Sequence, residues 1–379
     1  MSEIFNGENN HLDLMLKDLE ALVNLDSPSN NKGLTDKAVH YAAERFRELT
    51  GGAVEFIAQR DFGDHAKMQV GSGPGQILVL GHADTVWPEG EAQKRPFYIA
   101  GGRAFGPGVF DMKCGLVQGL YAIGSLVKRD VVRKKIVFLV NTDEEVGSPT
   151  SREWIEKEAR QSDAVFVLEP ALGPEGKLKT TRKGVARYKL EIQGIPAHSG
   201  IDHSKGRSAI EELAHQVIYL HGLTDYTLGS TVNVGVISGG TGPNVVSGKA
   251  YAEVDLRFQS LREAERLTGL VRHLKPHLEG TTIQASGAIK RPPMEAETSK
   301  ILLARAQDIA QKLGFSLAGA GTGGASDGCF TAALGIPTLD GLGAVGEGAH
   351  SLQEFVSISH ILQRSNLLAC LIGESMVST

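Results

Sequence analysis

The chain has 379 residues, of which 41% are apolar, 22% charged and 6% aromatic; 39 Lys and Arg stand against 44 Asp and Glu, a formal net charge of −5. This composition excludes disordered and fibrous classes, offers no basic excess for a nucleic-acid backbone, and at roughly 100–200 residues per domain leaves room for two or three domains. Three cysteines, Cys114, Cys329 and Cys370, lie far apart with no CxxC, so a bound metal has to be drawn from the 12 histidines and the acids.

The opening MSEIFNGENNHLDLML has neither a basic segment nor an apolar core of the signal-peptide kind. No uninterrupted apolar run of about 18 residues occurs anywhere, so a cytoplasmic chain without membrane association is expected. Leu12, Leu16, Leu19, Leu22 and Val23 predict a first helix, and Ala38 to Leu49 a second. Apolar runs at Ile77–Leu80, Ile136–Val140 and Ala164–Leu168 predict buried strands of one sheet. Between them, Met112 to Val127 reads as a helix despite Gly115, Gly119 and Gly124, whose cost in helix propensity implies close packing.

From 185 to 286 the pattern changes. Tyr188, Leu190 and Ile192 alternate; Ala209, Leu213, Val217 and Leu220 are helically spaced; Val232 to Val236 and Ala250 to Phe258 alternate again. Leu261–Leu278 reads as a helix and Thr281–Ala285 as a strand. The order β-α-β-β-α-β describes a ferredoxin-like unit. A helix over Ser299–Leu313, a strand over Ile336–Leu339 and a helix over Val356–Ile372 then resume the α/β pattern. The expectation is one α/β domain in two parts, 1–181 and 291–379, interrupted by an insert at 182–290.

Polar residues with chemistry collect where strands end. Gly81-His82-Ala83-Asp84-Thr85 follows one strand, Asn141-Thr142-Asp143-Glu144-Glu145 another, and Leu168-Glu169-Pro170 a third. Side chains at carboxyl ends of α/β strands face the crevice in which such sheets bind ligands. His82 and Asp84 also read as a hydrogen-bonded loop pair. Asp143 to Glu145 would repel one another unless solvated or neutralised by a cation. Asp111, in Gly106-Pro107-Gly108-Val109-Phe110-Asp111-Met112-Lys113, also reads as a helix cap, and His350 lies in a Gly-rich loop before the last helix. Two histidines and three carboxylates suit zinc or a similar ion, and one shared carboxylate could bridge two metals.

Taken in order, GHADTV, GPGVFDMK, NTDEEVGS, LEP, GIPAHSG, GGASDG and GEGAHS resemble the M20 family of zinc metallopeptidases, most closely its glutamate carboxypeptidase members. The resemblance runs from about Leu12 to Ile372. It implies an α/β/α zinc-exopeptidase-like catalytic domain with an inserted ferredoxin-like α+β lid and dimerisation domain. It also implies two zinc ions, with cobalt or manganese as substitutes. His82 and Glu169 would bind one ion, Glu145 and His350 the other, and Asp111 would bridge. Asp84 would orient the His82 ring, and Glu144 would be the general base. Relatives often carry a second Asp where this chain has Met112, and a cis peptide at that point. His198 of GIPAHSG reads by itself as a surface histidine; the resemblance has it reach from a partner's lid to the developing oxyanion.

Along Ala250–Phe258 the odd-numbered Tyr251, Glu253, Asp255 and Arg257 share a polar face. Arg257 reads as a salt-bridge partner of a neighbouring acid, whereas the resemblance makes it the ligand of a substrate carboxylate, with Asn244 as a second lid contact. Backbone N–H groups of the loop 323–328, at Gly324 and Ala325, could serve the same carboxylate. Lys179, Arg182, Lys183 and Arg187 read as a solvated basic cluster. The expected activity is carboxypeptidase cleavage before a glutamate-like residue, with N-acyl-amino-acid deacylation or non-catalytic zinc binding as alternatives. The expected partners are a small peptide or N-acyl amino acid and a second copy of the chain, and closure of the lid is expected.

Overall fold

The computed structural model describes residues 9–376; residues 1–8 of the opening segment and the expected outer limits 1 and 379 lie outside the described residues. Two compact units are present. One contains the chain up to Thr181, Glu295–Thr322 and the chain from Ser326; the other contains Arg182–Met294 with Gly323–Ala325.

The first unit is built on a six-stranded sheet, in the order Ala53–Ile57, His65–Val70, Lys135–Asn141, Gln76–His82, Ala164–Val167 and Thr338–Leu339. The last four strands run parallel, and the first two add an antiparallel edge. Helices cover both faces, which is why the central strands read as continuous apolar runs, and Gln76–His82 is buried at every position. Ile77 and Val79 face the helices Asn9–Val23, Lys32–Thr50, Cys114–Lys128 and Ile358–Ser375. Leu78 and Leu80 face Ile155 and Ala159 of the helix Arg152–Ala159, and Phe330. Adjacent residues of one strand thus feed two different cores.

The glycines of Cys114–Lys128 have the cause expected of them. A Cβ on Gly115 would lie 2.2 Å from the Leu168 carbonyl oxygen, and one on Gly119 2.5 Å from Leu168 Cδ1, so this helix is pressed onto the sheet beside the strand that leads to Glu169. Boundaries differ where proline or pairing decides. The helix from Leu261 stops at Arg272, short of Leu278, because Pro276 lies ahead. Its following strand extends to Arg291, up to Pro292. Val356 is not helical: Phe355–Ser357 pairs with Arg103–Phe105, and the last helix starts at Ile358. Pro337 leaves only Thr338–Leu339 as strand.

The second unit has a four-stranded antiparallel sheet in the order Thr231–Gly239, Lys249–Phe258, Gly184–Gln193, Thr282–Arg291. Its helices Ala209–His221 and Leu261–Arg272 bury Leu213, Leu220, Ala264 and Leu267 against Ala250, Ala252, Val254, Leu256 and Phe258. Ser208 and Ser260 cap these helices with their hydroxyls.

Two glycine substitutions separate close packing from propensity. Gly115→Ala should destabilise by about 1–3 kcal/mol through overpacking. Gly269→Ala, at a helical site where a Cβ meets nothing within 4 Å, should stabilise by about 0.5–1 kcal/mol. Urea unfolding of both variants checks the opposite signs.

Candidate active site

Three parallel strands stop at one edge of the sheet. Gln76–His82 ends on His82, level with Asn141 of Lys135–Asn141, and Leu80 is level with Val167 of Ala164–Val167. The next residues of each chain segment are therefore delivered to a common place: His82, Asp143 to Glu145, and Glu169. The turn after Gly108 and the loop 348–354 add Asp111 and His350.

Asp111 stands between the two histidines. Its Oδ1 lies 3.2 Å from His82 Nε2 and its Oδ2 3.5 Å from His350 Nε2. His82 Nε2 is also 3.6 Å from Glu169 Oε1, and His350 Nε2 3.2 Å from Glu145 Oε2. Two groupings bring ligand atoms within 4.8 Å of one another: His82, Asp111 and Glu145, and His82, Glu144 and Glu169. The peptide bond between Asp111 and Met112 is cis. Met112 is buried, and its Sδ accepts from the His82 N–H at 3.3 Å.

Charge in this cluster is unbalanced. Burial alone would lower the His82 pKa, yet Asp111, Asp84 and Glu169 hold it well above the ordinary value. Asp111 and Glu145 raise His350 to about 10. Burial would raise the Asp111 carboxyl, but His350 and His82 hold it well below the usual carboxylate range. Glu145 is pushed up by burial and by Asp111, against the pull of His350. Its Oε1 is buried with no hydrogen-bond partner. Imidazoles driven to hold protons, beside a carboxylate oxygen that nothing satisfies, mark a site short of positive charge. Nitrogen and carboxylate donors in this number fit divalent cations of the zinc class.

The remaining acids are saturated by donors and hold the loops. Asp84 lies behind His82, whose Nδ1 is 2.9 Å from the Asp84 carbonyl oxygen and 3.5 Å from its carboxylate. The carbonyl can only accept, so Nδ1 carries the proton and Nε2 faces the cluster. The Asp84 carboxylate accepts from Ser29 Oγ at 2.6 Å and from the N–H groups of Glu144 and Glu145 at 3.2 and 3.1 Å. Asp143 is turned away from Glu144 and Glu145 and accepts from Thr150 and Ser151, backbone and hydroxyl alike. Asp327 accepts from Asn141 Nδ2 at 2.6 Å and from Ser148 Oγ.

The sequence reading did not single out Glu354. It is 1% exposed and accepts from Trp87 Nε1, Gly108 N, Phe110 N and Asp111 N at 2.9–3.0 Å. Its only local signal is a Glu four residues beyond His350. The basic cluster is a correction: Lys179 and Arg182 are buried, not solvated. Lys179 Nζ lies 3.8 Å from Glu169 Oε2, and Arg182 Nη1 donates to the Gly324 carbonyl oxygen at 3.1 Å. The three cysteines are buried free thiols.

In the second unit, His198 and Asn244 are brought together. His198 is exposed and pairs with Val245 in a short antiparallel bridge, and Ser199 N donates to the Asn244 carbonyl oxygen at 3.0 Å. Arg257 is not with them. The His198 hairpin leads into the Lys249 end of Lys249–Phe258, a strand of 10 residues, and Arg257 stands near its other end, roughly 25 Å along it. There Arg257 forms the local ion pair its polar face allows, Nε to Asp255 Oδ1 at 2.7 Å and Nη2 to Oδ2 at 3.3 Å.

Residues 78–374 match the family described as Peptidase family M20/M25/M40. The chain belongs to this family. Carboxypeptidase G2 of Pseudomonas sp. (strain RS-16) is 30% identical over 383 residues, covering 97% of this chain and 91% of that protein. A succinyl-diaminopimelate desuccinylase of Ehrlichia canis (strain Jake) is 23% identical over 325 residues, covering 79% and 82%. Among solved structures, aminopeptidase PepT from Bacillus cereus ATCC 10987 shares the fold with a TM-score of 0.78 at 22% identity, over 96% of this chain and 98% of that one. The YXEP protein of Bacillus subtilis, described as a dinuclear metal binding peptidase from the M20 family, gives 0.70 at 14% identity over 96% and 98%. This M20 chain is accordingly a hydrolase of the peptidase and amidohydrolase kind. Among its described residues no helix is long and apolar enough to cross a membrane.

Asp84→Ala would leave the Ser29 hydroxyl and the Glu144 and Glu145 N–H groups without their buried acceptor. The metal-free variant should lose at least about 1–3 kcal/mol of stability, read by urea unfolding, and the loss of activity should exceed what unfolding accounts for.

Proposed function

We propose that this M20 chain is a two-metal, zinc-using hydrolase that cleaves the amide on the amino side of a C-terminal, free-carboxylate amino acid of glutamate-like character. The observation that carries the reading is Asp111, which turns one oxygen toward each of two histidines beside a buried, unsatisfied Glu145 oxygen. His82 and Glu169 would hold one ion, His350 and Glu145 the other, with Asp111 shared. Two divalent cations, when bound, acidify water and polarise an amide carbonyl.

The chain's own residues supply the rest. Glu144 takes the proton of the attacking water and returns it to the leaving nitrogen. The Asp84 carboxylate, by accepting from the Glu144 and Glu145 N–H groups, holds the backbone of both residues at the cluster. Arg257 takes the substrate carboxylate, exchanging Asp255 for it as a bidentate partner, with the backbone at Gly324 and Ala325 as further contacts; Asn244, which lies with His198, contacts the substrate from the same copy as His198. His198 donates to the developing oxyanion. The roughly 25 Å between His198 and Arg257 along one sheet supports taking them from different copies of a homodimer, in which the second unit serves as lid and dimerisation domain.

The second reading, N-acyl-amino-acid deacylation, has the desuccinylase likeness in its favour and uses the same chemistry. A panel of peptidyl and N-acyl amino acids offered to the zinc-loaded protein separates the two by product. Glu144→Ala should lower kcat by about 10²–10⁴-fold while retaining metal, and equal turnover by the variant would overturn the general-base role. Arg257→Ala should lower kcat/KM at least about tenfold on free-carboxylate substrates and spare amidated analogues; an equal loss on both would overturn its assignment.

A further inference from the structure

We propose that Glu354 is a positioning residue that sets the separation of His350 and Asp111, and thereby the occupancy of the second of the two metal positions. This inference rests on the two-metal reading above.

Glu354 ties together three segments that are remote in sequence. One carboxylate oxygen accepts from Phe110 N at 2.9 Å and Asp111 N at 3.0 Å, so it holds the backbone of the bridging aspartate itself. The other accepts from Gly108 N at 2.9 Å, at the start of the same turn, and from Trp87 Nε1 at 3.0 Å. Trp87 lies on the segment that leaves His82 and Asp84, under the Arg95 guanidinium, 4.1 Å from the ring centre. Glu354 itself belongs to the His350 loop.

That loop transmits position because it is closely wound. Ser351 N donates to the Gly348 carbonyl oxygen at 2.8 Å, and Glu354 N to that of Ser351 at 3.2 Å. A Cβ on Gly348 would fall 2.8 Å from Ser351 Oγ and 3.0 Å from Glu354 Cα, and the φ of +85° there suits only glycine. His350 is held at φ +61°, rare for a side-chain-bearing residue. With its carboxylate anchored to the Asp111 turn, Glu354 fixes where the loop sits and therefore where His350 points. His82 has a separate anchor: it is the last residue of a buried strand, paired in register with Asn141. Both positions share Asp111, but the one completed by His350 and Glu145 also draws its histidine from the loop that Glu354 anchors, whereas the one completed by His82 and Glu169 has its histidine fixed by the strand; the former depends on Glu354 the more.

Glu354→Gln keeps shape and volume but turns an NH₂ toward one of the two donor pairs. The test is calorimetric titration of zinc, and separately of cobalt with its visible absorption, into metal-free wild type and Glu354→Gln, with thermal unfolding of both metal-free proteins. Wild type should bind two ions. In the variant the weaker step should lose about 10–100-fold in affinity and the tighter step less than about threefold, a split that general destabilisation would not produce. Two steps unchanged, or two steps weakened by one common factor alongside a lowered melting temperature, would overturn the proposal. No binding by wild type would overturn the two-metal reading itself. Should Glu354→Gln fail to fold, Trp87→Phe removes a single donor and leaves the backbone ones. It should weaken the same step by about three- to tenfold, and equal weakening of both steps would again overturn the role.

Discussion

Carboxylates at the end of a buried sheet have to be neutralised, and this requirement organises the unit built on the six-stranded sheet. The acids there fall into two groups by what faces them. Asp84, Asp143, Asp327 and Glu354 are surrounded by N–H and O–H donors, and each such carboxylate replaces its lost hydration with several hydrogen bonds. Asp111, Glu145 and Glu169 face two imidazoles, one lysine and one another. The first group is satisfied by the protein; the second is left short of positive charge.

The two groups depend on each other. A cluster that repels itself does not keep its geometry unless the segments bearing it are held from behind, and the saturated acids do this. Asp84 holds the backbone of Glu144 and Glu145, Asp143 and Asp327 hold the loop beyond them, and Glu354 holds the Asp111 turn. Hydrogen bonds donated to ionised acceptors are the stronger kind, and several at one carboxylate resist displacement. Rigid support of this sort is what preorganised catalysis requires.

Membership of the M20 peptidases accounts for a shared scaffold carrying different amide hydrolases among the relatives, since carboxypeptidase G2 and a desuccinylase both align over most of the chain. In the proposed reading the chemistry belongs to the end of the six-stranded sheet where His82, Glu145 and Glu169 collect. Selection among substrates falls, in the same reading, to other residues, and Arg257 shows how local structure occupies one of them: its guanidinium is held by Asp255 two residues away, a partner that an incoming carboxylate would have to match.

Much of this was legible without tertiary structure. Apolar periods of 2 and 3.6 located the parallel strands, the long helices and the β-α-β-β-α-β order of the second unit, because those periods record which side of an element is buried. The strands also announced their own ends, and with them His82, Glu144, Glu145 and Glu169. The strand His65–Val70 was missed, although HAKMQV alternates polar and apolar residues with the period of a strand. Helix and strand limits near Val356 depended on pairing with Arg103–Phe105. Burial of Lys179 and Arg182 was hidden as well, because a run of basic residues looks the same whether solvent or protein surrounds it. Above all, only the folded chain could pair Glu354 with donors 243 to 267 residues away or send Asp143 back to Thr150 and Ser151 while its neighbours face the cluster. Local order along the chain determines which groups reach the edge of the sheet; which of them find donors there is decided by packing between segments distant in sequence.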